Sequence, residues 1–267
     1  MARVFVTGSA DGLGLVAARQ LISLGHDVVL HGRNQDRAQQ ALRALPGART
    51  ALVGDLASIE QTRALAEQAN AAGPLQAVIH NAGVYRPGER RRETVDGLDD
   101  VFAINALAPY LLTALIEGPE RLVYVSSGLH RSGDPDVRYL PSGRERWSGS
   151  QAYANSKLFD VVLAFAVARI WPQVLSNAVD PGWVPTRMGG RSAPGDLEQG
   201  AATQVWLAVS DEPGALVSGR YFHHKRTQPA HPAASDIAVQ KAFLDACERL
   251  TGARLALEAP DPAERGR

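Results

Sequence analysis

The stretch Val4-Phe5-Val6-Thr7-Gly8-Ser9-Ala10-Asp11-Gly12-Leu13-Gly14 decides the fold of this 267-residue chain. A short apolar run is followed directly by a turn that contains three glycines. The segment Leu13–Leu24 comes next, and its apolar residues recur at helical spacing. Because glycine lets the backbone turn sharply, the stretch predicts a strand, a tight turn and a helix in direct succession.

Strand-like and helix-like segments alternate through most of the chain. The predicted strands are Arg3–Thr7, Asp27–His31, Thr50–Gly54, Ala77–His80, Leu122–Ser126 and Ser176–Val179. The predicted helices are Leu13–Leu24, Asp36–Leu45, Ser58–Ala72, Val95–Ile116 and Tyr153–Ile170. Such alternation builds βαβ units with right-handed crossovers. The sequence therefore predicts an α/β protein, a single-domain Rossmann fold whose doubly wound parallel sheet has helices on both faces.

Length and composition fit one cytoplasmic domain. We expect residues 1–257 to form the domain and residues 258–267 to be a disordered tail. The 28 basic and 28 acidic residues balance, which gives no support to a nucleic-acid or membrane partner. Cys247 is the only cysteine, so no internal disulfide can form. No signal-peptide pattern opens the chain, and the apolar stretch 158–171 is too short to span a bilayer.

The glycine-rich turn predicts a dinucleotide site. Its glycines allow the backbone to approach a pyrophosphate, whose charge then lies at the N-terminus of the next helix. A strand before the turn and a helix after it are the context that this motif requires. An ordinary tight turn would need fewer glycines. The residues expected to bind the cofactor here are Thr7, Gly8, Ser9, Asp11, Gly12, Leu13 and Gly14.

The end of the second predicted strand favours NADP(H) over NAD(H). An acidic residue at this place would accept hydrogen bonds from the ribose hydroxyls of NAD. The strand instead ends His31-Gly32-Arg33-Asn34, and the first acid is Asp36. The planar guanidinium of Arg33 suits a 2′-phosphate, although a solvated surface arginine is the alternative. After the third strand, Asp55 and Leu56 are expected to bracket the adenine.

Tyr153 and Lys157 predict a proton-transfer site. They are four residues apart in a predicted helix and therefore lie on one face. A free phenol has a pKa of about 10, too high to exchange protons readily near neutrality. A neighbouring ammonium favours the phenolate and lowers that pKa. Tyr153 could then give a proton to an alkoxide or remove one from an alcohol.

These motifs together resemble the short-chain dehydrogenase/reductase family, from the N-terminus to about residue 225. The resemblance rests on T-G-x-x-x-G-x-G, Y-x-x-x-K and five further signals in the expected order. Those five are Asp55-Leu56, Asn81-Ala82-Gly83, Asn105, Ser126-Ser127 and Pro181-Gly182-Trp183-Val184-x-Thr186.

The resemblance implies a catalytic tetrad of Asn105, Ser127, Tyr153 and Lys157. Asn105 would support a water in a proton relay, and Ser127 would donate to the substrate oxygen. Lys157, with Tyr153, would also hold the nicotinamide ribose. The cofactor would further contact Asn81, Ala82 and Gly83 on its adenosine side, and Pro181, Gly182, Val184 and Thr186 at its nicotinamide amide.

The serine lies farther from the tyrosine than in many members of the family. Ser127 is 26 residues before Tyr153, with a long polar loop between them. Retinol-dehydrogenase-like members share such an insertion. Ser150 and Gln151, at the start of the tyrosine helix, remain alternative donors to the substrate oxygen.

Several stretches resemble bacterial daunorubicin ketoreductase-like proteins, which implies reduction of a ketone on a bulky secondary metabolite. They include Asp196-Leu197-Glu198-Gln199-Gly200 and His231-Pro232-Ala233-Ala234. The expected substrate contacts, for which loop packing is the alternative, are Leu129, His130, Trp147 and Trp183. No carboxylate or cysteine set accompanies the histidines near residues 223–231, so we expect no metal.

The sequence favours an NADPH-dependent ketoreductase and leaves other functions open. One alternative is an alcohol or retinol-type dehydrogenase that works in the oxidative direction, because a catalyst lowers both barriers alike. The other is a non-catalytic NADP-binding sensor, which the intact Tyr153 and Lys157 disfavour. The family also pairs through the helices that correspond to Val95–Ile116 and Tyr153–Ile170, so a homodimer or homotetramer is an expectation.

Overall fold

A computed structural model of the protein describes residues 1–141 and 146–256. Within them the strands form one sheet in the order β3-β2-β1-β4-β5-β6-β7-β8. Neighbouring strands are parallel except β7 and β8, which are antiparallel. The strands are β1 Arg3–Val6, β2 Asp27–Gly32, β3 Thr50–Val53, β4 Ala77–His80, β5 Arg121–Val125, β6 Leu175–Asp180, β7 Tyr221–His223 and β8 Arg226–Gln228. The predicted doubly wound α/β fold is confirmed.

Helices cover both faces of this sheet. They are α1 Gly12–Ser23, α2 Gln35–Ala44, α3 Ile59–Ala71, α4 Asp100–Phe102, α5 Ala108–Leu115, α6 Gly149–Ile170, α7 Leu197–Val209 and α8 Ile237–Thr251. One apolar core lies between the sheet and α1, α2 and α7. The other lies between the sheet and α3, α5, α6 and α8. Two cores on opposite faces are what a doubly wound sheet requires.

The predicted helix Val95–Ile116 was wrong at its start. The backbone turns at Thr94, whose carbonyl accepts the amide of Gly97, so helix α4 begins only at Asp100. Asp99 caps it, because its carboxylate accepts the amides of Val101 and Phe102. The helix then passes through a π-helical turn at Ala103–Leu107 before α5.

The helix that carries the tyrosine begins four residues earlier than predicted. Helix α6 starts at Gly149, and the hydroxyl of Ser148 accepts the amide of Gln151 as its cap. The sequence analysis also did not predict α7, α8, β7 or β8. Helix α7 is buried on several sides, which removes the one-sided apolar pattern that marks an exposed helix.

Helix α8 lies across α5 and α6 on the outer side of the second core. The Phe243 ring stacks on Phe159, with centroids 4.6 Å apart, and meets Tyr110 edge to face. The Tyr110 hydroxyl donates to the carbonyl of Ala253, just after α8. The chain therefore covers with its own helix the two helices through which we expected copies to pair.

Two further expectations concern the C-terminal tail and membrane-spanning segments. The predicted tail, residues 258–267, lies outside the described residues. Among the helices in the described ranges, none combines the length and apolar character needed to cross a membrane.

The packing of Phe243 generates a stability prediction. Phe243→Ala should lower the free energy of unfolding by about 3–5 kcal/mol, because the fully buried ring leaves a cavity between α8 and two other helices. Ile237→Ala on the same helix is the control, since Ile237 is 60% exposed and its loss should cost little. Chemical denaturation measures both variants. Equal losses would contradict this account of α8.

Candidate active site

The glycine turn packs tightly against the chain that follows β4. Gly8 has φ +63°, and a Cβ there would lie 2.9 Å from Cα of Ala82. A Cβ on Gly14 would lie 2.4 Å from Nδ2 of Asn81 and 2.6 Å from the Gly8 carbonyl oxygen. Both distances are far below van der Waals contact, so glycine is required at these two positions.

Thr7 fastens this turn to residues 81–82. Its hydroxyl accepts the amides of Asn81 at 2.9 Å and Ala82 at 3.0 Å. The Asn81 side chain donates in return to the Thr7 carbonyl at 3.0 Å. The structure therefore brings together two predicted cofactor motifs that are 74 residues apart in sequence.

The first turn of α1 keeps its backbone amides available for an anion. Asp11 is the N-cap residue, but its side chain accepts no capping hydrogen bond. Its carboxylate instead pairs with the guanidinium of Arg37, and Arg187 lies 3.8 Å from the same oxygen. Uncapped amides at a helix N-terminus suit a phosphate group. Arg37, which the sequence analysis did not single out, thus belongs to this end of the site.

Ser9 and His31 hold the turn against β2. The Ser9 hydroxyl accepts the His31 amide at 2.8 Å, and Nδ1 of His31 accepts the Gly8 amide at 2.9 Å. Burial lowers the pKa of His31, so the imidazole is neutral and can accept at that nitrogen.

The residues predicted for the adenosine end lie at the ends of β2 and β3. Arg33 is exposed directly after β2, and among the described residues no hydrogen bond or ion pair engages it. Asp55 accepts the amide of Ala57, while the Leu56 side chain is buried. Arg33 is therefore free to meet a ligand at this edge of the sheet.

Tyr153 and Lys157 lie together near the carboxyl end of β5. The Lys157 ammonium nitrogen is 5.8 Å from the centre of the Tyr153 ring and donates to the Val125 carbonyl at 2.8 Å. Both residues are buried. The ring of Tyr85, a residue without a signal in the sequence, lies against Tyr153 with centroids 4.7 Å apart.

The electrostatics of this pair keep the phenol protonated. Burial raises the pKa of Tyr153, against the opposing effects of the Lys157 ammonium and a hydrogen bond with the Ser127 side chain. Burial would lower the pKa of Lys157, but Asp160 and Tyr153 outweigh it, and the pKa is raised. Tyr153 is therefore protonated and Lys157 is a cation near neutral pH.

Asn105 connects α6 with the loop after β4. It lies in the π-helical turn and is fully buried. Its amide group accepts the Val84 amide at 2.8 Å and donates to the Val84 carbonyl and to the Ser156 hydroxyl. A Cβ on Gly83 would lie 3.4 Å from Oδ1 of Asn105 and 3.5 Å from Nζ of Lys157. Asn105 and Lys157 thus meet around Gly83.

Ser127, the expected substrate-oxygen donor, lies between β5 and a short 3₁₀ segment, Gly128–Ser132. Its hydroxyl accepts the Leu129 amide at 3.3 Å, and its side chain is near enough to Tyr153 to lower the pKa of that phenol. The alternatives have other partners. The Gln151 amide donates to the Ser132 carbonyl and to Asn155, and Ser150 lies 3.4 Å from the Tyr85 hydroxyl.

The segment from Pro181 to Thr186 closes the site over the glycine turn. A Cβ on Gly12 would lie 3.6 Å from the Thr186 methyl group, so the segment faces the turn across a narrow gap. Gly200 of α7 allows this approach, because a Cβ there would lie 2.8 Å from the Val184 side chain. Gly182 has φ +80° and donates its amide to Asp180.

The predicted substrate contacts separate into two groups. Leu129 is 47% and Trp183 61% exposed beside the site. His130 is instead fully buried, with Nδ1 bonded to the Ser127 carbonyl and Nε2 to the His231 amide, so it packs the loop. Trp147 donates to Asp99 and lines a cavity with Ala152 and Ser156; neither Tyr153 nor Lys157 is among its described lining residues. The side chains of both residues are therefore held by structural contacts, His130 within its loop and Trp147 at Asp99.

The chain fits a dinucleotide cofactor at this edge of the sheet. The glycine turn presents uncapped helix amides, and the switch point between β1 and β4 is where doubly wound sheets bind ligands. Within the described residues, no group of His, Cys, Asp and Glu side chains is arranged to hold a metal ion.

Comparison with known proteins agrees with this geometry. The short chain dehydrogenase family matches residues 2–125. The short-chain dehydrogenase chry4 of Gibberella zeae is 42% identical, over 96% of this chain and 99% of that protein. A Streptomyces protein named as a daunorubicin C-13 ketoreductase, DnrU, is 30% identical over 93% of this chain and 92% of its own length. Human retinol dehydrogenase 14 is also 30% identical, over 93% and 86%.

A solved structure has the same fold. An uncharacterized protein from Mycobacterium paratuberculosis superposes with a TM-score of 0.80 at 25% identity, over 96% of this chain and 95% of that one. The chain belongs to the short-chain dehydrogenase family and is an NAD(P)-dependent oxidoreductase.

Proposed function

We propose that the protein is an NADPH-dependent ketoreductase that reduces the carbonyl group of a bulky substrate to an alcohol. The observation that carries this proposal is that Ser127, Tyr153 and Lys157 lie together at the carboxyl end of β5, on the edge of the sheet that holds the glycine turn. A protonated phenol is the form needed to donate to a newly formed alkoxide.

The roles of the residues follow from their positions. Ser127 and Tyr153 donate hydrogen bonds to the carbonyl oxygen and stabilise the negative charge that develops there. Tyr153 then transfers its proton to that oxygen, and the Lys157 ammonium stabilises the phenolate that remains. The bound cofactor supplies the hydride. Through its hydrogen bonds to Val84 and Ser156, Asn105 fixes the chain at Gly83 relative to helix α6, which carries Lys157.

The exposed apolar side chains near the site favour a bulky substrate. Leu129, Trp183 and Met188 are 47%, 61% and 40% exposed, although each is large and apolar. Exposed apolar surface beside a reacting centre is typical of a binding site for an apolar molecule. The Streptomyces relative is named for the ketone of daunorubicin, which is polycyclic. A polycyclic ketone from secondary metabolism is our proposed substrate class.

The cofactor preference and the oligomeric state are part of the proposal. Arg33 and Arg37 place two guanidinium groups near the end of β2, where a 2′-phosphate would pair with them. A homodimer or homotetramer is our expectation, and the faces of α5 and α6 that pack against α8 would not be available to a partner copy. The oxidative direction remains the alternative, since retinol dehydrogenase 14 is a relative.

The role of Tyr153 is tested by removing its hydroxyl. Tyr153→Phe should lower turnover of a ketone by about 10²–10⁴-fold, because the proton donor is lost, and leave NADPH affinity nearly unchanged. Tyr110→Phe is the matched control, because it removes a phenol hydroxyl that is bonded to Ala253 away from the site. Steady-state kinetics and fluorescence titration measure the two quantities. Turnover of Tyr153→Phe at the wild-type rate would overturn the mechanism.

Ser127→Ala tests the substrate-oxygen donor. We expect turnover to fall roughly a hundredfold, since one donor to the developing oxyanion is removed. Ser132→Ala, in the same 3₁₀ segment but bonded to the Leu129 carbonyl, should retain near wild-type turnover. An unchanged rate in Ser127→Ala would assign the donor role to Ser150 or Gln151.

Arg33→Ala tests the cofactor preference. The substitution should weaken NADPH binding at least about tenfold more than NADH binding, because only NADPH offers a 2′-phosphate to the guanidinium. Arg43→Ala, an exposed arginine in the last turn of α2, provides the control for loss of a positive charge. Calorimetric titration with both cofactors gives the affinities. An equal effect on the two would remove the case for NADPH.

A further inference from the structure

Lys157 shares its buried ammonium with a carboxylate of the same helix. Its Nζ donates to Oδ2 of Asp160 at 2.8 Å, as well as to the Val125 carbonyl at 2.8 Å. The Lys157 and Asp160 side chains are 5% and 2% exposed. Two of the three ammonium hydrogens are therefore committed to fixed acceptors, and the nitrogen cannot move without breaking both bonds.

A buried carboxylate is an expensive way to satisfy one ammonium hydrogen. Removing an ion from water is costly, and a neutral acceptor could bond Lys157 with less desolvation. An ion pair between residues three apart also adds little to the stability of a helix by itself. What Asp160 provides, and a neutral side chain would not, is negative charge 2.8 Å from the group that acts on Tyr153.

We propose that Asp160 is a positioning residue for the Tyr153–Lys157 pair: its carboxylate anchors the Lys157 ammonium beside Tyr153 and offsets much of that ammonium's charge. The inference rests on the proposed function, because it takes Tyr153 as the proton donor. An ammonium without this counter-charge would draw the phenol toward phenolate, the form that cannot donate. With Asp160 present, Tyr153 stays protonated and Lys157 stays fixed.

Burial raises the pKa of Asp160 to about 7, against the opposing effect of the Lys157 ammonium, so Asp160 carries its charge above that pH. The other ionisable groups around the pair leave this charge balance intact. From β4, burial lowers the pKa of His80 to about 3, and from β5, burial raises the pKa of Tyr124, so both are neutral near neutral pH. From β6, the Asp180 carboxylate acts on Tyr153 in the same direction as Asp160. His223 of β7 lies 3.7 Å from the Asp180 carboxylate.

The sign of the effect follows from these charges. Removal of the Asp160 charge leaves Lys157 uncompensated, so the pKa of Tyr153 should fall. Because Tyr153 and Lys157 titrate as a coupled pair, a lower pKa of Tyr153 moves the first proton loss of the pair to lower pH. The acid limb of alcohol oxidation, which needs the deprotonated pair, should therefore move to lower pH by about one unit.

Asp160→Asn is the deciding variant, because the amide oxygen can still accept from Lys157 while the charge is gone. We would record the pH profile of kcat/KM for alcohol oxidation with NADP⁺. We would also record the near-ultraviolet tyrosinate absorbance of the ligand-free protein, with Tyr153→Phe in each background to isolate Tyr153. Both transitions should lie about one pH unit lower than in the wild type.

Asp27→Asn is the matched control, since it removes the same charge from the opposite edge of the sheet, where Asp27 pairs with Arg3 and Arg49. It should leave both transitions in place. An active Asp160→Asn with the wild-type pH profile would overturn the role of Asp160. A shifted tyrosinate absorbance without turnover on any substrate would overturn the proposed function and leave this inference standing.

A second substitution covers loss of folding. If Asp160→Asn lacks the cooperative unfolding of the wild type, Asp160→Ser removes the same charge with a smaller side chain, and the expected shifts are the same. Failure of both to fold, while Asp27→Asn folds, would assign Asp160 to stability alone and overturn the proposal.

Discussion

The hydroxyl group of Thr7 holds the two halves of the active site together. It accepts two backbone amides, those of Asn81 and Ala82, and so joins the turn after β1 to the chain after β4. The approach is so close that Gly8 and Gly14 have no room for a Cβ. The strand order of the sheet reverses beside β1, and the later strands carry their site residues to the same edge. Those residues are therefore positioned relative to this contact.

Helix α6 brings the chemistry to this frame. The Lys157 ammonium donates to the Val125 carbonyl, and the Ser126 hydroxyl donates to the Lys157 carbonyl. Lys157 thus fixes helix α6 to the end of β5 through both its side chain and its backbone. Tyr153 and Ser127 then meet across the same junction. The positions of Tyr153, Lys157 and Ser127 thus depend on one short stretch of strand.

The parts of this account that could be predicted from sequence are those encoded locally. The glycine turn and the Tyr153–Lys157 spacing each lie within one element, so periodicity and residue type were enough. The start of α4 depended on a cap by Asp99, and α8 is recognised only by the faces it covers. The direction in which a loop side chain points is set by tertiary contacts that the sequence does not show. The structural partners of His130 and Trp147 could therefore not be predicted. The role proposed for Asp160 could not be predicted, because it depends on a contact with the buried Lys157 ammonium that only the structure shows.

The most direct test of the proposed ketoreductase is NADPH consumption, followed by absorbance, against a panel of aromatic and polycyclic ketones with NADH in parallel. The uncommitted guanidinium of Arg33 and the exposed Trp183 and Leu129 predict turnover of at least one bulky ketone, with NADPH preferred. Tight NADPH binding without turnover of any ketone or alcohol would contradict the proposal and indicate a cofactor-binding sensor instead.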